Sequence, residues 1–181
     1  RSTHRASKDE TWEQVWGEES TARNHYNELL VSLIDEEGNG LDIRFRAFDD
    51  GIAFRYEFPG DGEAKIYKEQ TEYRFVSIPQ AWSLPWKTPY YEGLWTKRAL
   101  DATSDTLCSP ITLEFADGTY GYLHEANLTD WAAQNFYYAD GALHTYLTPW
   151  ANGTSVYVER GTTRSSWRML ILADDIRSLA S

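Results

Sequence analysis

Cysteine and methionine are almost missing from this chain of 181 residues, which contains one of each. With Cys108 as its single cysteine, the chain cannot form an internal disulfide. It has no apolar run long enough for a membrane span and no visible signal peptide. Basic residues are also scarce, because 17 Lys and Arg stand against 28 Asp and Glu and the net charge is −11. Such a chain repels polyanions, which argues against nucleic acid and anionic membranes as partners and favours a neutral sugar or a cation.

Aromatic residues, in contrast, are in excess, with 8 Trp, 12 Tyr and 7 Phe making up 15% of the chain. Aromatic rings fill the cores of β-sandwiches and also cover the faces of sugars, so composition alone leaves both roles open. The length favours one domain, spanning residues 1–181, that buries roughly 70% of its unfolded surface.

Alternation of apolar and polar residues predicts a β-hairpin over residues 41–58. Leu41, Ile43 and Phe45 alternate with charged residues before the turn, and the pattern resumes after Asp49-Asp50-Gly51, where Gly51 can adopt a positive φ. We expect the apolar face of this hairpin to be buried. Similar patterns predict further strands at 26–34, 73–78, 111–115, 119–126, 143–150, 154–160 and 167–173, and the last eight residues suit a short helical turn or a linker.

Many short strands joined by Gly, Asp, Asn and Pro turns, without crossover helices, indicate an all-β, antiparallel sandwich. Residues 79–98 interrupt the pattern, because three prolines disfavour a regular central strand. This segment is too apolar for an idle loop, and we expect it to be an ordered excursion that contacts a substrate or another domain. Its aromatic residues are the candidates: Trp82, Trp86, Tyr90, Tyr91 and Trp95.

The stretch "HEANLTDW" (124–131) carries the most interesting polar groups. Glu125 and Asn127 offer the hard oxygen ligands that calcium takes, but two ligands do not complete a site. Both residues also suit a capping role in the turn before Trp131, and local sequence favours that structural role. His124 and Glu125 should point to opposite faces of the strand, which argues against a His–Glu dyad. No phosphate loop, Cys/His metal motif or nucleophile elbow is present.

Several stretches, taken together and in order, resemble the N-terminal domain of glycoside hydrolase family 97. The similarity covers nearly the whole chain, and its most specific parts are "FRAFDDGIAFRY" in the hairpin and the pair of segments "VWGE" (15–18) and "NHYNEL" (24–29). The stretches that carry it are "DETWEQVWGE", "RNHYNEL", "FRAFDDGIAFRYEF", "HEANL" and "SSWRMLILADDIRSLAS".

The resemblance implies a β-super-sandwich similar to galactose mutarotase, followed by a catalytic (β/α)8 barrel that carries the catalytic carboxylates. It implies a calcium-dependent bacterial α-glucosidase or α-galactosidase, periplasmic or secreted, acting on α-linked oligosaccharides. No catalytic residue is then expected on this chain, which would be a fragment of a longer enzyme that lacks the first strands. In the family the glutamate of the matching "EA-x-L" segment helps to hold calcium, which assigns Glu125 as a Ca²⁺ ligand and Asn127 as a neighbour of the interface.

Two other functions stay open. The chain could be a free-standing carbohydrate-binding module, with an exposed stacking platform formed by Trp82, Trp86 and Trp95. It could also be a mutarotase-like epimerase, which would need an acid and a base facing one sugar pocket. The tempting set for that chemistry is His124, His144 and Glu125, although no motif supports it.

Overall fold

The computed structural model describes residues 1–17, 19–60, 64–87, 91–151, 153, 156–158 and 163–179. This part of the chain forms sixteen β-strands and two short 3-10 helices, Leu100–Ala102 and Ile176–Leu179. The strands, numbered β1 to β16 in chain order, are Ser2–Glu13, Thr21–Ile34, Gly40–Ala47, Gly51–Phe58, Ala64–Ile66, Glu72–Tyr73, Gln80–Ser83, Thr96–Ala99, Leu107–Cys108, Ile111–Glu114, Tyr120–Ala126, Gln134–Ala139, Ala142–Leu147, Val156–Val158, Thr163–Arg164 and Trp167–Ala173. No helix within these ranges is long and apolar enough to cross a membrane.

Two antiparallel sheets form the sandwich that the sequence predicts. The large sheet has ten strands, nine of them in the order β1-β2-β3-β4-β16-β11-β10-β7-β8, with β15 beside β4. The small sheet has four strands in the order β6-β13-β12-β9, and β5 pairs with β14 in a separate ribbon. The sandwich core lies between the small sheet and one end of the large sheet. It is built by Ala81, Leu100, Leu107, Ile111, Leu113, Leu123, Phe136 and Leu143.

Most predicted strands are confirmed. The hairpin over 41–58 is β3 and β4, and a second hairpin joins β10 to β11 around Asp117-Gly118. The strands predicted at 26–34, 143–150 and 167–173 correspond to β2, β13 and β16, and the tail contains a 3-10 turn. The prediction for 154–160 lies partly outside the described residues, and β14 occupies its middle.

The strand predictions are incomplete, and the short strands β5, β9 and β15 were not predicted. The sequence did not predict β1, because nearly every one of its residues is exposed and no face alternates. It also missed β12, whose buried Gln134 and Asn135 hide the apolar pattern. The strand predicted at 73–78 is limited to Glu72–Tyr73, after which the chain leaves the sheet.

The excursion at 79–98 contains regular structure that the prolines do not prevent. Strands β7 and β8 pair there with each other, and β7 also pairs with β10. Pro79 and Pro85 flank β7 on either side, so neither of them removes a hydrogen bond from the strand. After β7, Trp86 N donates to Thr106 O at 2.7 Å, which attaches the excursion to the chain beside β9.

The hairpin β3–β4 buries its faces differently from the prediction. Phe45 and Ile52, on the apolar face, are 39% and 52% exposed, because the small sheet does not cover this part of the large sheet. The most buried residues of β4 are Ala53 and Glu57, on the opposite face.

Charged side chains and one tryptophan cover that opposite face. Arg44 and Arg55 both donate to Glu57 Oε1, at 2.8 and 2.7 Å. Arg46 and Arg55 lie over the ring of Trp167, with guanidinium carbons 4.4 and 4.5 Å from the ring centroid. Burial opposes ionisation of Glu57, but the two arginines outweigh it and lower its pKa to about 2.

Because the pKa of Glu57 is lower in the folded state, its contribution to stability is complete above pH about 4.5 and lost as the pH falls to about 2. We expect the free energy of unfolding to fall through that window, and Glu57→Gln to reduce the fall by roughly 2 kcal/mol. Urea titrations at successive pH values measure the free energy of unfolding of both proteins. Glu10→Gln, in the exposed pair with Lys8, is the control and should change the slope far less.

Gly51 is required by a close contact and not by its φ angle. Its φ is not in the left-handed region, contrary to the turn chemistry that the sequence suggests. A Cβ at this position would lie 2.4 Å from Leu170 O and 3.0 Å from Ile171 Cα, because β16 runs directly beside it. Gly118, in the other hairpin, has a φ of +90° and open space around it.

We therefore expect Gly51→Ala to destabilise the protein by more than about 2 kcal/mol, because the backbones of β4 and β16 must separate. Gly118→Ala should cost about 1 kcal/mol, which is the strain of a positive φ alone. Equilibrium urea unfolding compares the two variants. Equal costs would show that β4 and β16 do not approach as closely as described.

Candidate functional site

Glu125 lies near the end of β11 with its carboxylate pointing between the two sheets. Its side chain is 8% exposed. Oε1 accepts a hydrogen bond from Gln134 N at 3.0 Å, and Oε2 accepts from Ser166 Oγ at 2.8 Å and Arg168 Nη1 at 3.1 Å. The bond to Gln134 closes the loop between β11 and β12, so Glu125 does have part of the structural role that local sequence suggests.

Arg168, in β16, is the centre of this cluster. Its guanidinium is completely buried and donates through Nε and Nη2 to Glu69, at 2.9 and 2.5 Å. Nη1 donates to Ser166 Oγ as well as to Glu125. Burial opposes the charge of Arg168, but the hydrogen bonds and charges of Glu69 outweigh it and raise its pKa.

The cluster continues across the edge of the sandwich. Thr71 Oγ1 donates to Glu69 Oε1 at 2.7 Å and shares a 2.8 Å hydrogen bond with Tyr56 Oη. Thr71 O also accepts from Thr145 N of β13 at 2.9 Å. One arginine therefore connects the large sheet, the segment 67–71 and the edge of the small sheet.

The cluster meets part of the requirements of a cation site. Two buried carboxylates face one guanidinium, so the formal charge is −1, and a buried uncompensated charge is costly. A carboxylate has about four acceptor positions, and Glu125 uses one on Oε1 and two on Oε2. Oε1 of Glu125 therefore keeps an acceptor position with which it can bind a cation. Among the described residues, however, no group of three or more His, Cys, Asp or Glu side chains could hold a metal ion.

The residues considered for an epimerase are not brought together. His124 points to the outer face of the large sheet, where its Nδ1 lies 3.2 Å from Ser109 Oγ and burial lowers its pKa. His144 is on the outer face of the small sheet, with Nε2 3.1 Å from Ala139 O. Glu125 faces inward between them, so no acid and base of this set share one pocket.

The aromatic residues of the excursion do not form one platform. Trp82 lies on the outer face of the large sheet beneath Lys97, whose Nζ is 5.5 Å from the ring centroid. Trp86 packs edge-on against Tyr146 of the small sheet, with ring centroids 5.6 Å apart. Trp95 and Tyr91 are 49% and 58% exposed, and burial and the nearby Cys108 and Glu125 raise the pKa of Tyr91.

Two further candidates complete the set. Asn127 is exposed in the loop that follows β11, and its backbone has a φ of 56°. Tyr90 lies outside the described residues.

Sequence reasoning missed Arg168, Glu69 and Ser166, which hold Glu125 in place. One signal was available, because Arg168 is a charged residue inside the otherwise apolar strand "WRMLILA". A charge at an inward-facing strand position requires a buried partner of opposite sign. Its partner could not be identified from spacing, since Glu69 is 99 residues away.

The protein-family model that describes the N-terminal domain of glycosyl hydrolase 97 matches residues 1–181 of this chain. The chain belongs to this family. A retaining α-galactosidase of Bacteroides thetaiotaomicron is 25% identical over 154 residues, which are 77% of this chain and 22% of the relative.

Solved structures of a family 97 enzyme from Pseudoalteromonas sp. strain K8 have the same fold. Its complex with acarbose is 30% identical and superposes with a TM-score of 0.86, covering 97% of this chain and 28% of the enzyme. A variant in complex with panose is 29% identical with a TM-score of 0.90, covering 100% of this chain and 28% of that one. The chain thus spans about a quarter of the length of these relatives.

We expect Arg168→Met to reduce the free energy of unfolding by about 3–5 kcal/mol, because Glu69 and Glu125 would be buried without a cationic partner. Adding Glu69→Gln to that variant should recover part of the loss, since one buried charge is removed. Urea unfolding followed by tryptophan fluorescence measures both.

Arg177→Met is the control for this prediction. Arg177 pairs with Asp175 on the surface, with its own side chain 87% exposed. Its replacement should cost far less free energy of unfolding than that of Arg168, because solvent screens an exposed pair. Similar costs for the two arginines would contradict the central role of Arg168.

Proposed function

We propose that this chain is the non-catalytic sandwich domain of a family 97 glycoside hydrolase that cleaves α-glucosidic or α-galactosidic bonds. The proposal includes a catalytic (β/α)8 barrel elsewhere in the same polypeptide. The sandwich contributes residues that form one wall of the active site of this barrel. The match of the whole chain to the family carries this proposal. The α-galactosidase relative and the complexes with acarbose and panose support an α-linked oligosaccharide as substrate. Family resemblance also leads us to propose a periplasmic or secreted bacterial enzyme.

We further propose that Glu125 supplies one Ca²⁺ ligand at the contact with the barrel. Two observations support it: the surplus negative charge of the cluster with Glu69 and Arg168, and the acceptor position that remains on Oε1. When bound, calcium would orient and polarise the substrate. The role of this chain is to hold a carboxylate rigidly, because the three donors to Glu125 leave it one orientation.

Asn127, Tyr91 and Trp95 belong to the proposed wall. All three are exposed, and the charge of Glu125 contributes to the raised pKa of Tyr91. Exposed aromatic rings and amides are groups with which proteins contact sugars. The stacking platform of Trp82 and Trp86 is a weaker hypothesis, since these rings pack on different sheets.

The test compares the 181-residue chain with the longer polypeptide that continues into the catalytic barrel. We expect calcium-dependent hydrolysis of nitrophenyl α-glucoside or α-galactoside by the longer form alone. In that form Glu125→Ala should weaken calcium binding by roughly tenfold or more, because a ligand is lost. Calorimetric titration with calcium measures the affinity, and the calcium-induced rise in Tm gives a readout independent of activity.

Glu10→Gln is the matched control, because Glu10 is a surface carboxylate paired with Lys8. Its calcium affinity and Tm shift should equal those of the unmodified enzyme. An unchanged calcium response in Glu125→Ala would refute the metal role while leaving the domain assignment intact. Hydrolysis by the 181-residue chain itself would refute the non-catalytic assignment.

A further inference from the structure

A cleft of about 670 Å³ lies between the segment 67–72 and strand β13. Its volume is within the range of small-molecule binding sites in proteins, roughly 300–1,000 Å³. Glu125 does not line this cleft, although Glu69, which pairs with Arg168, does. Its lining includes Tyr67, Gln70, Glu72, Tyr137, His144 and Tyr146.

Three aromatic groups give this cleft flat apolar surfaces. Tyr137 stacks on His144 with ring centroids 5.1 Å apart and an angle of 17° between the ring planes, and it remains 40% exposed. Tyr67 is 65% exposed. Tyr146 packs edge-on against Trp86, and this contact fixes the orientation of its ring. Rings whose orientation is already fixed lose little entropy when a ligand stacks on them.

Polar groups stand beside these rings. Arg74 donates to both oxygens of Glu72, at 2.9 and 3.2 Å, and thereby lowers the pKa of Glu72 and orients its carboxylate. Glu72 Oε2 lies 3.8 Å from His144 Nδ1, so the carboxylate sits next to the stacked rings. An ionised carboxylate and the exposed Gln70 amide accept hydrogen bonds from hydroxyl groups. Lys68 is the one lysine of the lining, and Glu69, Glu72 and the net charge of −11 outweigh it and disfavour an anionic ligand.

Flat rings beside hydrogen-bond acceptors match the chemistry of a pyranose, which has an apolar face and a rim of hydroxyls. We propose that this cleft binds a neutral α-linked oligosaccharide, with one sugar ring stacked on Tyr137 and its hydroxyls bonded to Glu72. The inference goes beyond the proposed function, since it requires neither Glu125 nor calcium. It gives the sandwich domain its own contact with the carbohydrate.

The experiment uses the full-length enzyme and calorimetric titration with two probes, an α-glucosyl and an α-galactosyl trisaccharide. Both are S-linked, because sulfur in place of the bridging oxygens prevents hydrolysis during the titration. We expect two binding events with at least one probe. Tyr137→Ala and Glu72→Gln should each weaken the same event by about tenfold, which corresponds to roughly 1.4 kcal/mol, and leave the other unchanged.

Trp12→Ala is the control, since Trp12 is a 50% exposed aromatic residue of β1 and does not line the cleft. It should leave both events unchanged, and thermal melts establish that each variant is folded. Two binding events that neither Tyr137→Ala nor Glu72→Gln weakens would overturn the proposal. A loss of affinity in Trp12→Ala as large as in the cleft variants would also overturn it, as would a single event that neither cleft variant alters. A single event that Tyr137→Ala abolishes would support the cleft and count instead against the proposed glycosidase site.

Discussion

The buried pairing of Arg168 with Glu69 and Glu125 is the constraint on which the arrangement of this domain depends. A guanidinium with no exposure to water is tolerated only where its donors are satisfied, and all three of its nitrogen atoms donate to acceptors here. Hydrophobic packing between the sheets is non-directional, whereas these bonds fix which residue lies opposite which. The segment 67–71 is held against the sandwich by the same bonds, and it forms one wall of the proposed sugar cleft.

Strand β16 connects this cluster to the charged network on the other side of the large sheet. Adjacent residues of a strand point to opposite faces, so Trp167 lies between Arg46 and Arg55 outside while Arg168 pairs inside. Both networks place arginine against carboxylate or aromatic groups with little exposure to solvent. Four arginines of this strongly acidic chain, Arg44, Arg46, Arg55 and Arg168, thus stabilise the large sheet.

The aromatic excess has several uses in this fold. Phe136 is buried in the sandwich core, and Phe58 stacks on the buried Trp131 in a second cluster with Leu147. Other rings are arranged on outer surfaces, including the pair of Tyr137 and His144 and the exposed Tyr91 and Trp95. Composition could not separate these uses, because a ring that covers a sugar and a ring that fills a core have the same chemistry.

Sequence alone determined the all-β class, both β-hairpins and the opposite orientations of His124 and Glu125, because these follow from period-two alternation and local turn chemistry. It also identified the family, through stretches that keep their order. Only the tertiary structure decided that Glu125 is bound by Arg168 and Ser166, and that Gly51 is needed for a close approach of β16. Likewise, only the fold shows that the polar face of the hairpin is the buried one and that residues 67–72 and 137–146 enclose a cleft. Each of these depends on contacts between residues far apart in the chain, which strand periodicity does not encode.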